Sequence, residues 1–349
     1  MTMTYRSLGR TGVQVSPLCL GCMNFGGRAD AETSTAIIHR SLEAGINFID
    51  TANVYGHDPQ NFSFGRGRSE EIVGKALDGK RDDVILATKA YFHMGDKPND
   101  WGSSRRHIIQ QCEASLKRLN TDYIDLYQLH HPHNSIPIDE TLRALDDLIL
   151  SGKVRYIGTS SFAAWQLIEA LWVSKELHLN RFVCEQPAYN LLDRRIEREL
   201  IPATQTYGIG VIAWSPTAGG FLTGKYKRDT PPPFDSRYGA FWTSAHNKHQ
   251  TERAYDVIDL ITDMAEEKSV TPYQIALAWV AQQEGITSAI MGPRTLEQLE
   301  GSLGALDITF TEEDFARIDA LVPVGQMTVP YYGHDGMAWV TWGPHTHRW

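Results

Sequence analysis

The chain has 349 residues, of which 42% are hydrophobic and 21% are charged, the composition of a soluble globular protein with a core of ordinary size. Its net charge is −9 at pH 7 and no run of Lys or Arg occurs, which argues against a nucleic acid or an anionic membrane surface as the main partner. The first residues contain no apolar h-region, and no apolar run approaches the ~18 residues of a membrane helix, so we expect neither a secretory signal nor a membrane span.

The four cysteines stand at positions 19, 22, 112 and 184. Cys19 and Cys22 have the C-x-x-C spacing that occurs in metal half-sites and redox pairs. The second pair that a metal site requires is missing, and the surrounding PLCLGCM is typical of a buried strand. We therefore interpret these thiols as structural and expect a reduced, cytoplasmic protein.

The chain opens with YRSLGRTGVQVS, which predicts a small β-hairpin around a Gly-rich turn. Strand-like and helix-like segments then alternate. Eight runs are predicted as strands: 18–22, 47–50, 84–89, 123–129, 154–159, 182–186, 210–214 and 288–292. Apolar residues three or four positions apart predict helices at 31–44, 69–77, 104–119, 139–151, 163–178, 194–207, 252–268, 271–285, 295–303 and 311–321.

Eight strands, each followed by a helix, predict an α/β fold of the (β/α)8 TIM-barrel type. A doubly wound sheet is the alternative, but no G-x-G-x-x-G follows the first strand. No Gly/Ser/Pro linker divides the chain, so residues 1–349 are predicted to form one domain with long loops at the C-terminal face of the barrel. One such loop is the Pro/Gly-rich segment 215–250. Residues 323–349 form an aromatic-rich extension that we expect to pack on something.

Ionisable side chains stand at the ends of three consecutive predicted strands. Asp50 ends the second strand, Lys89 the third and His130 the fourth, and Tyr55 follows Asp50 in the next loop. Because active sites of TIM barrels lie at the C-terminal ends of the strands, we expect these four residues to converge on one rim. Each alone would be explained as a buried ion pair or a core histidine. Together they favour a catalytic interpretation.

Elementary chemistry gives each of the four a role. The ordinary pKa of a phenol, about 10, is too high for easy proton donation at neutral pH, and the Lys89 ammonium can lower the pKa of Tyr55. Asp50 can hold Lys89 in place, and His130 can orient a substrate carbonyl. The set predicts a proton donor aimed at an oxygen, as carbonyl reduction requires.

Seven segments occur in a fixed order along residues 5–321: NFIDTANVYG, ILATK, YIDLYQLHHP, GTSSF, EQPAYNLL, AWSP and IMGPRTLEQLEGSLGAL. In these segments and this order the chain resembles the aldo-keto reductase superfamily. The resemblance implies a TIM barrel that reduces aldehydes and ketones with NADPH and without a metal. It also implies that Tyr55 is the general acid, with Asp50, Lys89 and His130 completing its tetrad.

The resemblance implies cofactor contacts as well. Ser160 and Gln186 match the positions that hold the nicotinamide carboxamide, and Trp214 matches the aromatic residue on which the nicotinamide ring stacks. Ser215 and the loop after it would line the pyrophosphate.

At the other end of the cofactor, the resemblance places Arg294 near the 2′-phosphate and Gln298 near the adenine. The chain departs from the family at Ser161, where Asn is usual, and at 300–302, where Glu-Gly-Ser replaces the common Glu-Glu-Asn. These departures change or remove one carboxamide contact and alter the adenine contacts that the resemblance implies.

The segment 57–68, HDPQNFSFGRGR, lengthens the loop directly after Tyr55. That loop would border the substrate, so Asn53, Phe62 and Phe64 are the candidate substrate-binding residues. Long polar loops and an acidic surface suit a hydroxylated carbonyl compound such as a sugar as the small-molecule substrate.

Two other functions stay open. A metal-dependent barrel hydrolase could use the histidines of HHPH with Asp50 as a ligand, although Lys89 would oppose a cation there. A cofactor-binding regulatory subunit with little turnover is also possible, because channel-associated members of the superfamily resemble this chain around WSPTAGGFLTGKY. The complete tetrad favours the enzyme. The oligomeric state stays open, a homo-oligomer included.

Overall fold

The predicted hairpin forms the start of the described chain. In the computed structural model, which describes residues 3–56, 65–233, 236 and 251–328, β1 (Arg6–Ser7) pairs antiparallel with β2 (Gln14–Val15). The turn between them rests on the floor of the sheet that follows. Gly9 has a φ of +58°, and a Cβ there would lie 2.6 Å from the backbone nitrogen of Gly210, so only glycine fits this close approach.

Eight parallel strands then close into a barrel, in the spatial order β10-β3-β4-β5-β6-β7-β8-β9. Their bounds are β3 Leu18–Gly21, β4 Phe48–Asp50, β5 Ile85–Ala90, β6 Ile124–Leu129, β7 Val154–Ser160, β8 Cys184–Gln186, β9 Gly210–Ala213 and β10 Ser288–Met291. Each strand begins and ends within two residues of its predicted bounds. The predicted (β/α)8 TIM barrel with an N-terminal hairpin is confirmed.

Helices surround the barrel. Within the described residues they are α1 Ala31–Glu43, α2 Arg68–Ala76, α3 Arg105–Leu119, α4 Ile138–Leu150, α5 Ala164–Glu176, α6 Leu200–Tyr207, α7 Glu252–Glu267, α8 Pro272–Gln282, α9 Leu296–Leu303 and α10 Glu312–Leu321. As predicted, Thr271 caps α8: its hydroxyl accepts from the backbone N–H of Gln274, and Pro272 occupies the first turn.

The helix predicted at 194–207 is wrong in its first half. A 3₁₀ turn at Arg195–Glu197 precedes α6. The Asp193 carboxylate accepts from the backbone N–H of Arg195 and pairs with its guanidinium, while the Arg194 guanidinium donates to the carbonyl of Val322 at 2.6 Å. These side-chain contacts compete with helical hydrogen bonds. The 3₁₀ turn therefore stops at Glu197, and α6 begins only at Leu200.

Alternation along the strands divides the core into two parts. Inward-facing side chains fill the barrel together with the hairpin residues Leu8 and Val15; they are Cys19, Phe48, Ala87, Leu126, Cys184 and Ile212. The outward-facing residues pack under the helices in a larger cluster. The apolar plug at the hairpin end closes the N-terminal mouth of the barrel. The single-domain prediction for 1–349 stays a prediction, and 329–349 of the extension lie outside the described residues.

Replacing two helical glycines with alanine should have opposite effects on stability. At Gly74 in α2 a Cβ would lie 2.5 Å from the backbone of Leu119, whereas at Gly301 in α9 it would meet no atom of the described residues within 4 Å. Ala favours a helix over Gly by about 1 kcal/mol, but overpacking costs about 1–3 kcal/mol. We expect Gly301→Ala to raise the urea midpoint and Gly74→Ala to lower it; a gain for both variants would show that α2 can move away from α3.

Candidate active site

The barrel interior changes from apolar to polar at its C-terminal end. On four strands, the inward position nearest that end carries a polar side chain, two residues after an inward apolar one, as the two-residue period of a strand requires. The pairs are Phe48 and Asp50 on β4, Ala87 and Lys89 on β5, Leu126 and Gln128 on β6, and Cys184 and Gln186 on β8.

Asp50 and Lys89 form a buried ion pair. Lys89 is 0% and Asp50 2% exposed; the ammonium donates to Asp50 Oδ1 and to the carbonyl of Thr51 at 2.8 Å. Burial alone would lower the pKa of Lys89, but the Asp50 carboxylate raises it, and the pKa ends above its ordinary value. Lys89 therefore stays charged.

Tyr55 stands over this ion pair in the loop after β4. Its hydroxyl lies 3.3 Å from His130 Nε2, and the Lys89 ammonium lies 5.0 Å from the centre of its ring. Burial raises the pKa of Tyr55 and Lys89 lowers it; burial is the larger effect, so the pKa ends above its ordinary value. Lys89 lowers the pKa of Tyr55, as expected, but burial outweighs this effect, so the Tyr55 hydroxyl is less acidic than an exposed phenol.

His130 is a neutral imidazole. Burial, the Lys89 charge and the neighbouring His131 hold its pKa well below the ordinary range. The two histidine rings stack with centroids 5.4 Å apart, and the ring of Phe92 meets His130 edge-on at 4.8 Å. A neutral His130 can donate or accept a hydrogen bond without bringing a second cation next to Lys89.

The backbone around Tyr55 is fixed by the start of α2. The Tyr55 carbonyl accepts from the backbone N–H of Gly67 at 3.1 Å and of Ser69 at 3.3 Å. Gly56 has a φ of +93°, and a Cβ there would lie 2.7 Å from the Ser69 nitrogen. The hydroxyl of Ser69 in turn bonds Thr51, directly after Asp50. These contacts hold Tyr55 near the end of β4, where the ion pair also lies.

The structure brings the predicted nicotinamide contacts to the neighbouring strand ends. Ser160 ends β7 and donates to the carbonyl of Gln186 at 2.9 Å, while Trp214 directly follows β9 and donates from its backbone to Pro187. Ser161 has a φ of +63°. Because Asn adopts this left-handed conformation more readily than other residues with a side chain, the turn explains why Asn is usual there.

The predicted phosphate contacts lie after β9 and β10, next to one another in the barrel. Ser215 has a φ of +58° and accepts from the backbone N–H of Gly219 at 2.8 Å. Among the described residues, a Cβ at Gly220, where φ is +93°, would meet only the Lys225 ammonium at 3.9 Å. A cation beside this left-handed turn suits a pyrophosphate. The residues present therefore fit an anionic dinucleotide.

The residues predicted to lie near the adenine and the 2′-phosphate hydrogen-bond to the surrounding structure. Gln298 Oε1 accepts from the backbone N–H of Arg294 at 2.8 Å, and the Arg294 side chain is partly exposed. Where the chain departs from the family, Glu300 pairs with Arg40 at 2.6 Å, and the buried Ser302 bonds the hydroxyl of Tyr273 at 2.6 Å.

The three substrate candidates differ in how far the structure describes them. Asn53 is 0% exposed, and its amide donates to Gln111 Oε1 at 3.0 Å, so it packs under α3. Phe62 and Phe64 lie outside the described residues, as do the rest of 57–64 and residues 234, 235 and 237–250 of the loop at 215–250. Phe92, which the sequence reasoning missed, is partly exposed beside His130.

Sequence reasoning also missed two buried side chains next to the site. Gln128 donates to Asp50 Oδ2 at 3.0 Å. Glu185, on the outward face of β8, accepts from Thr159 and from the backbone N–H of Phe162 at 3.0 Å, and burial raises its pKa to about 8. Alternation along the strands could have found Gln128, because it shares the inward face with Leu126.

The described part of the chain contains no cluster of three or more His, Cys, Asp or Glu side chains that could hold a metal ion. None of its helices has the length and apolarity needed to cross a bilayer. Cys19, Cys22, Cys112 and Cys184 are all free and buried. The cytoplasmic location stays a prediction.

The buried ion pair predicts an asymmetric response to mutation. Lys89→Met leaves the Asp50 carboxylate buried without its cation, which costs about 3–5 kcal/mol of the free energy of unfolding. Asp50→Asn combined with Lys89→Met should cost less. In the matched control, Lys153→Met breaks the half-exposed pair with Glu113 and should cost under about 1 kcal/mol. Urea unfolding measures all three; equal costs for Lys89→Met and the double variant would contradict the interpretation.

The sequence matches the model of the Aldo/keto reductase family over residues 17–323. The uncharacterized oxidoreductase YrpG of Bacillus subtilis (strain 168) is 39% identical over 328 residues, which cover 92% of this chain and 96% of that protein. A probable voltage-gated potassium channel subunit beta of Oryza sativa subsp. japonica is 37% identical over 328 residues, 92% of this chain and 97% of that protein.

L-glyceraldehyde 3-phosphate reductase of Escherichia coli (strain K12) is 32% identical over 337 residues, which cover 94% of each chain. The family match spans every strand of the barrel, and the relatives cover nearly all of the chain. The chain therefore belongs to the aldo/keto reductase family and is an NAD(P)H-dependent oxidoreductase.

Proposed function

We propose that the protein reduces an aldehyde or ketone to an alcohol with NADPH, and that Tyr55 donates the proton. One observation carries the proposal: the Tyr55 hydroxyl lies at the barrel rim, 3.3 Å from His130 Nε2 and beside a buried ammonium. A hydroxyl placed between a neutral imidazole and a fixed cation can release its proton to a carbonyl oxygen and be stabilised as the phenolate.

Each residue of the tetrad then has one task. Tyr55 keeps its proton in the resting protein because burial raises its pKa. Lys89 stays charged beside the Asp50 carboxylate and stabilises the phenolate left after transfer. His130, neutral because burial lowers its pKa, can donate from Nε2 to the substrate oxygen and so orient the carbonyl carbon.

The cofactor contacts support NADPH. When bound, NADPH supplies the hydride for the carbonyl carbon. Ser160 and Gln186 would hold the carboxamide, and Trp214 would support the ring. Ser215 and Arg294 carry the groups that suit the pyrophosphate and the 2′-phosphate, since a planar guanidinium binds phosphate through two parallel hydrogen bonds.

Sugars and other hydroxylated carbonyl compounds are the substrate class we propose. The relative from Escherichia coli is named for reduction of a phosphorylated hydroxy-aldehyde. A second candidate function is a cofactor-binding regulatory subunit with little turnover. It is favoured by the relatives from Oryza sativa and Arabidopsis thaliana, which are named as potassium channel beta subunits and are 37% and 36% identical.

Tyr55→Phe separates the two functions. The variant keeps the ring but loses the proton donor, so we expect kcat to fall about a hundred- to ten-thousandfold while NADPH binding is unchanged. The assay follows NADPH oxidation with benzaldehyde, glyceraldehyde, simple ketones and keto-sugars, with NADH in parallel. Tight NADPH binding without turnover of any carbonyl by the wild-type protein would favour the regulatory subunit.

The matched control for this variant is Tyr123→Phe. Tyr123 also has a hydrogen-bonded hydroxyl, which donates to Asp82 Oδ1 at 2.9 Å, but it directly precedes β6 and so lies at the opposite end of that strand from His130. Its kcat should equal that of the wild type. Undiminished turnover in Tyr55→Phe would eliminate Tyr55 as the proton donor.

The pKa directions predict the pH profile of reduction. The reaction needs protonated Tyr55, so activity is present below the pKa of Tyr55 and is lost above it. Because that pKa is raised above the ordinary value of about 10, kcat should stay level through neutral pH and fall only in strongly alkaline solution. A fall centred near neutral pH, at constant NADPH binding, would assign the proton to another group.

A further inference from the structure

We propose that Gln128 is a positioning residue that locks Asp50 and Gln186 together, and so joins the proton-delivering side of the site to the side that holds the cofactor. The inference rests on the proposed function, because it assigns Gln128 a part in the same reaction. It begins from three side chains that meet within one buried layer of the barrel: Asp50 is 2%, Gln128 0% and Gln186 3% exposed.

A single negative charge fixes the direction of the hydrogen bonds in this layer. An ionised carboxylate can only accept, so the amide groups that reach Asp50 Oδ2 must present their nitrogens. Gln128 Nε2 lies 3.0 Å and Gln186 Nε2 2.9 Å from that oxygen. With Lys89 on Oδ1, the carboxylate receives three N–H donors from three strands.

The same orientation makes Gln128 the link between the two halves of the site. Its nitrogen is committed to Asp50, so its Oε1 turns toward Gln186, whose Nε2 donates to it at 3.2 Å. Gln186 therefore uses its nitrogen inside the barrel. Its Oε1 accepts no hydrogen bond from the described residues and is the atom left for a carboxamide N–H. Without Gln128, the Gln186 amide loses one of the two acceptors that set its rotation.

The backbone leaves room for this link. Gln128 and Gln186 lie on β6 and β8, and the strand between them, β7, carries Gly158 at the position that pairs with Gln128 and with Cys184. A Cβ at Gly158 would lie 2.4 Å from Cys184 Sγ and 3.2 Å from Gln128 Cγ. The missing side chain lets two amides meet across an intervening strand.

Two substitutions at Gln128 test whether its donor matters. Gln128→Met removes the hydrogen bonds to Asp50 and Gln186, and the weak one from the Cys184 thiol, and keeps the size of the side chain. We expect kcat to fall and the NADPH dissociation constant to rise, each about tenfold or more, at every pH. Gln128→Glu places a carboxyl against Asp50. In its protonated form this group can donate to Asp50 and accept from Gln186, as the amide does, but in its ionised form it cannot donate.

The pH dependence of Gln128→Glu is therefore the decisive readout. Burial and the nearby Asp50 charge raise the pKa of the introduced carboxyl, so activity and NADPH affinity should approach those of the wild type at low pH and fall as pH rises. Near wild-type behaviour at every pH, with Gln128→Met defective, also supports the donor role. A loss that is equal in both variants and independent of pH would overturn the proposal, as would an unchanged Gln128→Met.

A control variant shows whether the loss of a buried hydrogen bond on β6 is harmful by itself. A binding measurement separates the role of Gln128 from the proposed function. Tyr127→Phe removes a buried hydrogen bond from the outward neighbour on β6, whose hydroxyl donates to Ile108, and should leave kcat and NADPH affinity unchanged. NADPH affinity is read from tryptophan fluorescence without any carbonyl. If the wild-type protein binds NADPH but reduces nothing, the proposed function fails, and the affinities alone decide the role of Gln128.

Discussion

The buried ion pair between Asp50 and Lys89 is the constraint on which the site depends. Two charges with almost no exposure are tolerable only when each has its full set of partners, and these partners come from neighbouring strands: Gln128 and Gln186 on Asp50, and the Thr51 carbonyl on Lys89. The barrel must therefore bring four strand ends into register before the pair can form. That register also delivers Tyr55 and His130 to the same rim.

Burial has opposite consequences for the groups around this pair. It raises the pKa of Tyr55 and lowers that of His130, so both are neutral, while the neighbouring carboxylate keeps Lys89 charged. The result is one cation, one anion and two neutral groups that can exchange hydrogen bonds. Such an arrangement is ready to stabilise charge that develops on an oxygen and carries no excess charge beforehand.

Much of the fold could be predicted from the sequence because each strand is a short apolar run between turn residues and each helix has a clear period. The positions of Asp50 and Lys89 at the rim followed from the same pattern, since both stand at strand ends where polar groups are unexpected. Three things could not be predicted. The balance of burial against charge at Tyr55 depends on packing, the 3₁₀ turn at Arg195–Glu197 depends on an ion pair with Asp193, and the contact between Gln128 and Gln186 depends on which strand lies between them.

The hairpin at the floor of the barrel has a consequence for water and protons. Leu8 and Val15 pack against Phe48, Ala87 and the other inward apolar residues, so the described layer beneath the ion pair is mainly apolar. If Tyr55 donates its proton as proposed, the polar route for replacing that proton runs over the rim on which the substrate would arrive. Recovery of the acid would then be coupled to the return of solvent to that rim after the alcohol leaves.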